Sequence, residues 1–225
     1  METIKIDSKE LRERFGYPLK CDDCLGLNNN PRNIEKIDPY YQKGNKIKLL
    51  LIGQDPTIFD DPERVNTVLM LNEVKGRNGQ LRKWLEKEIF GEENFKNIEL
   101  YATNLVKCQF ENPPTTSQEG ALKFLRPRFE KCKKYLFKEI EKFNPSIVLT
   151  LGESAHILFS KELEFFDKNI SYTMKDDFNG DFYRVKLNST IFDYSPCLHI
   201  KTFRVAETYG KQVFDFKTKL IEKIK

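Results

Sequence analysis

Three largely apolar runs constrain the fold of this chain more than any other feature. They predict strands over Ile47–Gly53, Ile98–Leu105 and Ser146–Gly152. The stretch Leu49–Ile52 has no polar alternation, as expected of a strand that is covered on both faces. Amphipathic stretches separate these runs, and the longest predicts a helix over Gln118–Phe143. Strands that alternate with helices are typical of an α/β fold, in which helices flank a central parallel β-sheet.

Other segments extend this α/β pattern along the chain. They predict helices over Gly79–Ile89, Glu153–Phe159 and Phe203–Ile224 and strands over Phe182–Leu187 and Ile191–Tyr194. Pro127 is expected to kink or divide the long helix, and the polar residues 161–180 predict an irregular insertion. We expect a single domain over residues 1–225, in which residues 1–45 form an N-terminal arm.

Composition excludes several classes of protein. The 225 residues are 39% hydrophobic and 32% charged, as in soluble globular proteins. No apolar run approaches the roughly 20 residues that cross a bilayer, and the start of the chain lacks the apolar core of a secretion signal. We therefore expect a cytoplasmic, monomeric protein without a membrane partner.

The net charge of +4 permits nucleic-acid binding without requiring it. A group of basic residues lies within the long predicted helix: Lys123, Arg126, Arg128, Lys131, Lys133, Lys134 and Lys138. Glu130, Glu139 and Glu141 are interspersed among them. A solvated helix face therefore explains most of these side chains, and a DNA-binding face is the alternative.

Four of the five cysteines form a candidate set of metal ligands. Cys21 and Cys24 make a CxxC pair, and Cys108 and Cys132 follow far downstream. In a reducing compartment cysteines are more often metal ligands than disulfides. The set can hold a [4Fe–4S] cluster or a zinc ion, or remain unligated. Cys197 is expected to be an unligated thiol.

The predicted strands end in residues that suit a ligand pocket. Gly53, Leu105 and Gly152 each close one of the three apolar runs. In open α/β sheets the loops that follow parallel strands gather at one edge, and ligands bind outside the carboxyl ends of the strands. We therefore expect the functional site at that edge.

Three segments together resemble the uracil-DNA glycosylase superfamily. The stretch Leu51–Pro56 contains GQDP, which is similar to the water-activating motif of the cluster-free members. The stretch Thr103–Cys108, TNLVKC, is similar to TNVVKC of the iron–sulfur members, and Asn144–Gly152 resembles their P-x-I-I-x-x-L-G strand. The resemblance runs from Cys21 to about Arg204 and is closest to the iron–sulfur members. It implies a four-stranded parallel sheet and a DNA-repair activity.

The resemblance implies hydrolysis of the N-glycosidic bond of uracil, or of another deaminated base, in DNA. It makes Asp55 the catalytic residue that positions the attacking water, and it places Gly53 and Gln54 beside the base. Asn104 would read the base, because one carboxamide satisfies both the O4 acceptor and the N3–H donor of uracil. The alternatives are a turn residue for Asp55 and a local backbone contact for Asn104. The four cysteines would hold a [4Fe–4S] cluster.

Two positions of the substrate site depart from the family pattern. Val74 stands where the iron–sulfur members carry an aromatic that stacks on the base, a contact worth about 1–3 kcal/mol. The HPSP loop reads Asp193-Tyr194-Ser195-Pro196, so that Asp193 replaces the His expected to neutralise the departing base. A carboxylate there would oppose the reaction. His199, six residues further on, is not assigned this role.

The remaining predictions concern contacts with DNA. Pro113 and Pro114 are reminiscent of a Pro-rich loop that grips the phosphate backbone, and Ser195 and Pro196 match the HPSP-like loop. Leu198 is placed to wedge into the gap left by a flipped base, with core packing as the alternative. The alternative function is a catalytically impaired nucleic-acid-binding module that keeps the fold and the cluster. A third is an unrelated α/β protein with zinc and a small-molecule pocket.

Overall fold

A computed structural model gives the fold with its side chains. It describes residues 7–24, 27, 31–32, 37–56, 66–76, 79–110, 118–167, 170–199 and 209–225. The helices are α1 (Ser8–Phe15), α2 (Gln80–Trp84), α3 (Glu92–Asn97), α4 (Gln118–Phe143), α5 (Glu153–Ser160), α6 (Met174–Asp177) and α7 (Gly210–Ile224). The strands are β1 (Pro31–Arg32), β2 (Tyr40–Gln42), β3 (Lys48–Gly53), β4 (Glu99–Asn104), β5 (Gln109–Phe110), β6 (Ile147–Leu151), β7 (Glu164–Phe165), β8 (Tyr183–Leu187) and β9 (Thr190–Cys197). A 3-10 turn covers Val68–Met70, and a π-helical turn over Leu85–Ile89 continues α2.

A seven-stranded sheet forms the centre of the molecule, in the order β2-β4-β3-β6-β9-β8-β7. The four strands β4, β3, β6 and β9 run parallel to one another. The strands β2, β8 and β7 add to the edges in antiparallel pairs. The predicted central parallel sheet is confirmed, and the antiparallel edges are an addition that the apolar runs did not reveal.

The central strands are buried on both faces, which explains their unbroken apolar sequences. In β3, Leu50 and Ile52 join the core cluster on one face, whereas Leu49 and Leu51 join the cluster on the other. The first cluster includes residues of α1, α4 and α5, and the second includes residues of α2, α3 and α7. Helices therefore cover both faces of the sheet, as the α/β prediction requires.

The long helix α4 has the predicted bounds, Gln118–Phe143, and Pro127 lies within it without dividing it. The closing helix begins at Gly210, and the earlier part of its predicted range lies outside the described residues. No helix in the described ranges is long and apolar enough to span a membrane.

Described residues of the N-terminal arm join the core, among them Leu11, Phe15 and Tyr17. Asp7 caps α1 by accepting a hydrogen bond from the amide of Lys9, at 2.9 Å. The ring of Phe15 then packs against Tyr101 of β4, with ring centroids 4.6 Å apart, and against Phe143 of α4. Aromatic contacts of this kind fix the arm to the sheet.

The predicted irregular insertion at 161–180 contains ordered elements that join the core. The strand β7 and the helix α6 lie in it, and Met174 and Phe178 are buried. Asp177 is also buried and contacts His156 of α5 at 2.8 Å. The prediction was wrong because polar composition does not reveal that a polar side chain has a buried partner.

Candidate functional site

The carboxyl ends of β3 and β4 form the centre of the candidate site. Gly53 lies opposite Asn104 in the parallel register, and Gln54 and Asp55 continue directly from Gly53. Gln54 donates a hydrogen bond from Nε2 to Oδ1 of Asp55, at 2.9 Å. The half-buried Asp55 carboxylate and the Asn104 carboxamide therefore leave the sheet at the same edge, as the motif spacing predicted.

The loop after β4 is bonded to the segment that carries Asp55. The amide of Leu105 donates to the carbonyl oxygen of Gly53 at 2.9 Å, and the amide of Val106 donates to that of Gln54 at 3.1 Å. The two motifs therefore share one hydrogen-bonded frame. The side chains of Asp55 and Asn104 hold a defined relative position even though they are 49 positions apart in the sequence.

Asn104 is the most informative residue of the site. Its side chain is 1% exposed, and neither the amide nitrogen nor the amide oxygen has a hydrogen-bond partner among the described residues. A buried polar group left in this state costs about 1–3 kcal/mol. A ligand with one donor and one acceptor would remove that cost. The alternative, in which the Asn104 side chain bonds to nearby backbone, is therefore contradicted.

Gly53 is required by close packing at the same place. A Cβ atom built on Gly53 would lie 2.4 Å from Oδ1 of Asn104 and 2.7 Å from Cδ2 of Leu69. Neither separation is possible for a real side chain. The backbone therefore approaches the Asn104 carboxamide as closely as only glycine permits.

Leu69 is a site residue that the sequence analysis missed. It lies in the 3-10 turn with a left-handed backbone (φ +57°), and Met70 follows in the same region. This conformation is costly for a leucine, and it brings the side chain against Gly53. The sequence carries no signal for such a backbone. Val74, which was expected to contact the base, is 53% exposed.

Asp193 is not at the site, which contradicts its predicted contact with the base. It pairs in register with Ile147, the first residue of β6, at the amino ends of the parallel strands. Its carboxylate contacts Arg184 at 3.1 Å and Lys223 at 2.7 Å. Four further residues carry β9 to Cys197, so at roughly 3.3 Å per residue Asp193 is about 13 Å from that edge.

The other residues of the supposed HPSP loop are buried in the sheet. Ser195 and Pro196 lie opposite Leu149 and Thr150 of β6, and Leu198 packs in the core cluster beneath α7. The predicted DNA contacts of Ser195, Pro196 and Leu198 are therefore contradicted, and core packing explains Leu198. The sequence match was misleading because β9 is three residues longer than its predicted end at Tyr194.

His199 takes the place at the edge that Asp193 was expected to occupy. It follows the end of β9, where Cys197 pairs with Leu151. Its Cβ lies 3.8 Å from a Cβ built on Gly152, the residue that follows β6. The exposed imidazole therefore stands at the carboxyl edge, together with Asp55 and Asn104. A longer predicted β9 would have identified this position.

The four predicted metal ligands come from three parts of the chain: the arm, the loop after β4 and helix α4. Cys24, Cys108 and Cys132 are buried, and Cys21 is partly buried. A hydrogen bond from the thiol of Cys132 lowers the pKa of Cys24 and raises its own. Burial, with the charges of Cys132 and Cys21 in addition, raises the pKa of Cys108 to about 12.

Within the described residues, no group of three or more His, Cys, Asp or Glu side chains is arranged so that it could hold a metal ion. Polar partners surround Cys21, the partly buried member of the predicted set. The thiol of Cys21 donates to Asp23 at 3.4 Å, and Tyr135 and Lys134 also contact that carboxylate, at 3.0 and 2.7 Å. Four cysteine sulfurs are the donor type that a [4Fe–4S] cluster takes, and the hydrogen bond from Cys132 and the charge of Arg128 lower the pKa of Cys24.

Two predicted DNA contacts, Pro113 and Pro114, lie outside the described residues. A comparison with curated proteins finds no match for the chain. A family model described as Uracil DNA glycosylase superfamily matches residues 40–214, a range that includes β3, β4, β6 and β9 and the loops at their carboxyl ends. The chain therefore belongs to the uracil-DNA glycosylase superfamily.

Proposed function

We propose that this protein is a DNA glycosylase that hydrolyses the N-glycosidic bond of uracil or another deaminated base in DNA. The observation that carries the proposal is the buried Asn104 carboxamide, with both of its polar atoms unpaired. Uracil offers an acceptor at O4 and a donor at N3–H, which one fixed carboxamide satisfies together. Cytosine offers the reverse pattern, so that binding it would leave polar groups unpaired in a buried site.

The base must leave the duplex before it can reach Asn104. A base within a stacked duplex does not expose its glycosidic bond, so the nucleotide is extruded into the site. The shared frame of the two loops then sets the distance between the bound base and Asp55. Leu69 supplies an apolar surface beside Gly53, without the aromatic stacking expected of the iron–sulfur members.

Asp55 is the proposed catalytic carboxylate. As the glycosidic bond breaks, positive charge develops on the sugar in an oxocarbenium-like transition state. A carboxylate beside the anomeric carbon stabilises this charge and orients the attacking water. Gln54 holds the Asp55 carboxylate by its hydrogen bond to Oδ1, and this contact fixes the direction in which the other oxygen points.

His199 is the proposed partner of the departing base. The pyrimidine leaves as an anion with charge on O2, and a hydrogen-bond donor near that atom lowers the barrier. His199 stands at the carboxyl edge of β9, whereas the Asp193 carboxylate lies at the other end of the sheet. With this placement, the Asp193 carboxylate does not lie beside the departing anion.

We further propose that Cys21, Cys24, Cys108 and Cys132 hold a [4Fe–4S] cluster, with zinc as the alternative. The pKa of Cys24 responds to Cys132, Cys108 and Cys21, and that of Cys108 responds to Cys132 and Cys21, which supports this ligand set. The cluster would act as a structural crosslink between the arm, the loop after β4 and α4. The hydrogen bond from Cys132 and the charge of Arg128 lower the pKa of Cys24, whereas burial raises that of Cys21 despite its hydrogen bond with Tyr135.

Base release from defined oligonucleotides tests the proposed function. Single-turnover assays on DNA with one uracil, hypoxanthine or xanthine should yield an abasic site that alkali cleaves. Asp55→Asn should remove this activity, since the amide cannot stabilise the positive charge of the transition state. Salt-sensitive DNA binding without release of any of these bases would instead support the non-catalytic binding module.

A further inference from the structure

Lys107 is a buried cation with three close oxygen neighbours. Its side chain is 0% exposed, and its ammonium nitrogen donates to Oγ1 of Thr103 at 2.6 Å and to the carbonyl oxygen of Asn104 at 2.7 Å. The same nitrogen lies 2.7 Å from Oε1 of Glu139 in an ion pair, although Oε1 has no hydrogen bond of good geometry. The position of the ammonium relative to the Asn104 backbone is therefore tightly determined.

Glu139 completes this arrangement from α4. The sequence analysis placed it on a solvated helix face, but its side chain is 0% exposed and faces the sheet. Its Oε2 accepts a hydrogen bond from the hydroxyl of Tyr101 at 3.2 Å. The prediction failed because the charge pattern of a helix does not reveal which face packs on the sheet.

A buried ion pair of this kind is poorly explained by stability alone. Removing both charges from water costs several kcal/mol per ion, and apolar residues of similar size often stabilise a fold equally well. The pair also lies directly beneath the residue that reads the base. Lys107 holds the main-chain carbonyl of Asn104, whereas the carboxamide of Asn104 has no protein partner.

We propose that the Lys107–Glu139 pair is a positioning device that holds Asn104 in register with Asp55. This inference rests on the proposed function of the site. Three contacts restrain the turn: Lys107 holds the Asn104 carbonyl, and the amides of Leu105 and Val106 bond to the Asp55-bearing segment. A carboxamide without partners of its own depends on these backbone contacts for its orientation.

A double-mutant cycle tests the inference. Lys107→Met/Glu139→Leu removes both charges and leaves neither buried without its partner. It should lower the single-turnover rate of uracil release about 10- to 100-fold, because a displacement near 1 Å costs on the order of 10²-fold. In an Asn104→Ala background the same pair of changes should cost less than about threefold, since the residue that it positions is gone.

If the rate losses of Lys107→Met/Glu139→Leu and of Asn104→Ala multiply in the combined variant, the ion pair does not act through Asn104. This result would overturn the inference. The matched control is Lys219→Met/Asp181→Leu, which removes a partly exposed ion pair elsewhere and should leave the rate within about twofold of the wild type. Circular dichroism confirms that each variant is folded. If the charge-free pair does not fold, Thr103→Val removes one acceptor of the ammonium and should give a smaller loss in the same direction.

Hydrogen exchange gives a readout that does not depend on glycosylase activity. The amides of Leu105 and Val106 should exchange faster in Lys107→Met/Glu139→Leu, and they should be unchanged in the Lys219 control. Unchanged exchange at both amides would overturn the inference even if base release is confirmed. If the wild type releases no base while exchange rises as expected, the proposed function fails and the positioning contact stands.

Discussion

Asn104 combines a restrained backbone with an unpaired side chain, and this combination is the strongest indication of function at the scale of single residues. Its carbonyl is held by Lys107, and its carboxamide is buried without a partner. Proteins rarely leave buried amides unpaired, because each costs about 1–3 kcal/mol. The motif identified Asn104 from sequence, but its burial and its lack of partners are tertiary facts.

Substitutions of His199 and Asp193 are expected to have opposite effects on the rate of the proposed reaction. His199→Ala should lower single-turnover base release by about 10²- to 10³-fold, since it removes the donor proposed for the departing anion. Asp193→Asn should leave the rate within about twofold of the wild type, because its ion pairs lie at the far end of the sheet. A severe loss in Asp193→Asn, together with normal activity in His199→Ala, would contradict this assignment.

At the scale of secondary-structure elements, the length of β9 determines which residue stands at the carboxyl edge. Pro196 within a sheet argues against a central strand, because it lacks an amide donor. However, β8 pairs with β9 only as far as Tyr194, so Pro196 has β6 alone as its neighbour. The missing donor therefore costs little there, and the strand continues to Cys197. This continuation moves His199, not Asp193, to the carboxyl edge.

Helix α5 contains a buried histidine that links three elements. His156 lies with Nε2 2.8 Å from Oδ2 of Asp177 and with Nδ1 2.7 Å from the hydroxyl of Tyr194. That hydroxyl lies 2.9 Å from Oγ1 of Thr150. A neutral imidazole satisfies every contact if Nε2 donates to Asp177 and Nδ1 accepts from Tyr194. The network holds the 170–178 segment against α5 and β9.

The His156 network predicts how the free energy of unfolding depends on pH. Burial lowers the pKa of His156, and the opposing effect of Asp177 is smaller. The folded state therefore binds fewer protons than the unfolded chain, whose His pKa is about 6.5, and stability is lost as the pH falls below that value. The slope has an upper limit of about 1.4 kcal/mol per pH unit.

Urea unfolding between pH 5.5 and 7.5, followed by the fluorescence of the single tryptophan, Trp84, measures this slope. His156→Gln should lower the stability and flatten the slope. His199→Gln should keep the slope, because the only other histidine is exposed. Equal slopes in the wild type and His156→Gln would show that His156 does not titrate on unfolding.

At the scale of the whole molecule, the four predicted metal ligands belong to regions that are far apart in the sequence. They come from the arm, the loop after β4 and the middle of α4. Phe15 and Tyr41 tie the same arm to the sheet through aromatic contacts. A metal shared by these sulfurs would add a crosslink between distant segments, and such sites contribute directly to folding free energy.

Loss of the proposed metal is therefore expected to lower the stability of the whole fold. Protein purified without oxygen should be brown with about four irons per chain, the number in a [4Fe–4S] site. Cys24→Ser should lose the iron and unfold at a lower temperature, whereas Cys197→Ser should keep it, because Cys197 lies at the end of β9. A colourless wild type that contains zinc, or iron retained in Cys24→Ser, would contradict the proposed cluster.

The sequence by itself determined the sheet and the edge that carries the site. Burial on both faces produces uninterrupted apolar runs, and the glycine and polar residues after them mark the carboxyl ends. Only the tertiary structure decided that Glu139 is buried, that Leu69 contacts Gly53 and that His199 stands where Asp193 was expected. Each of these depends on the rotation of a helix, a left-handed backbone or the length of a strand. Contacts between distant residues set such features, and local sequence does not encode them.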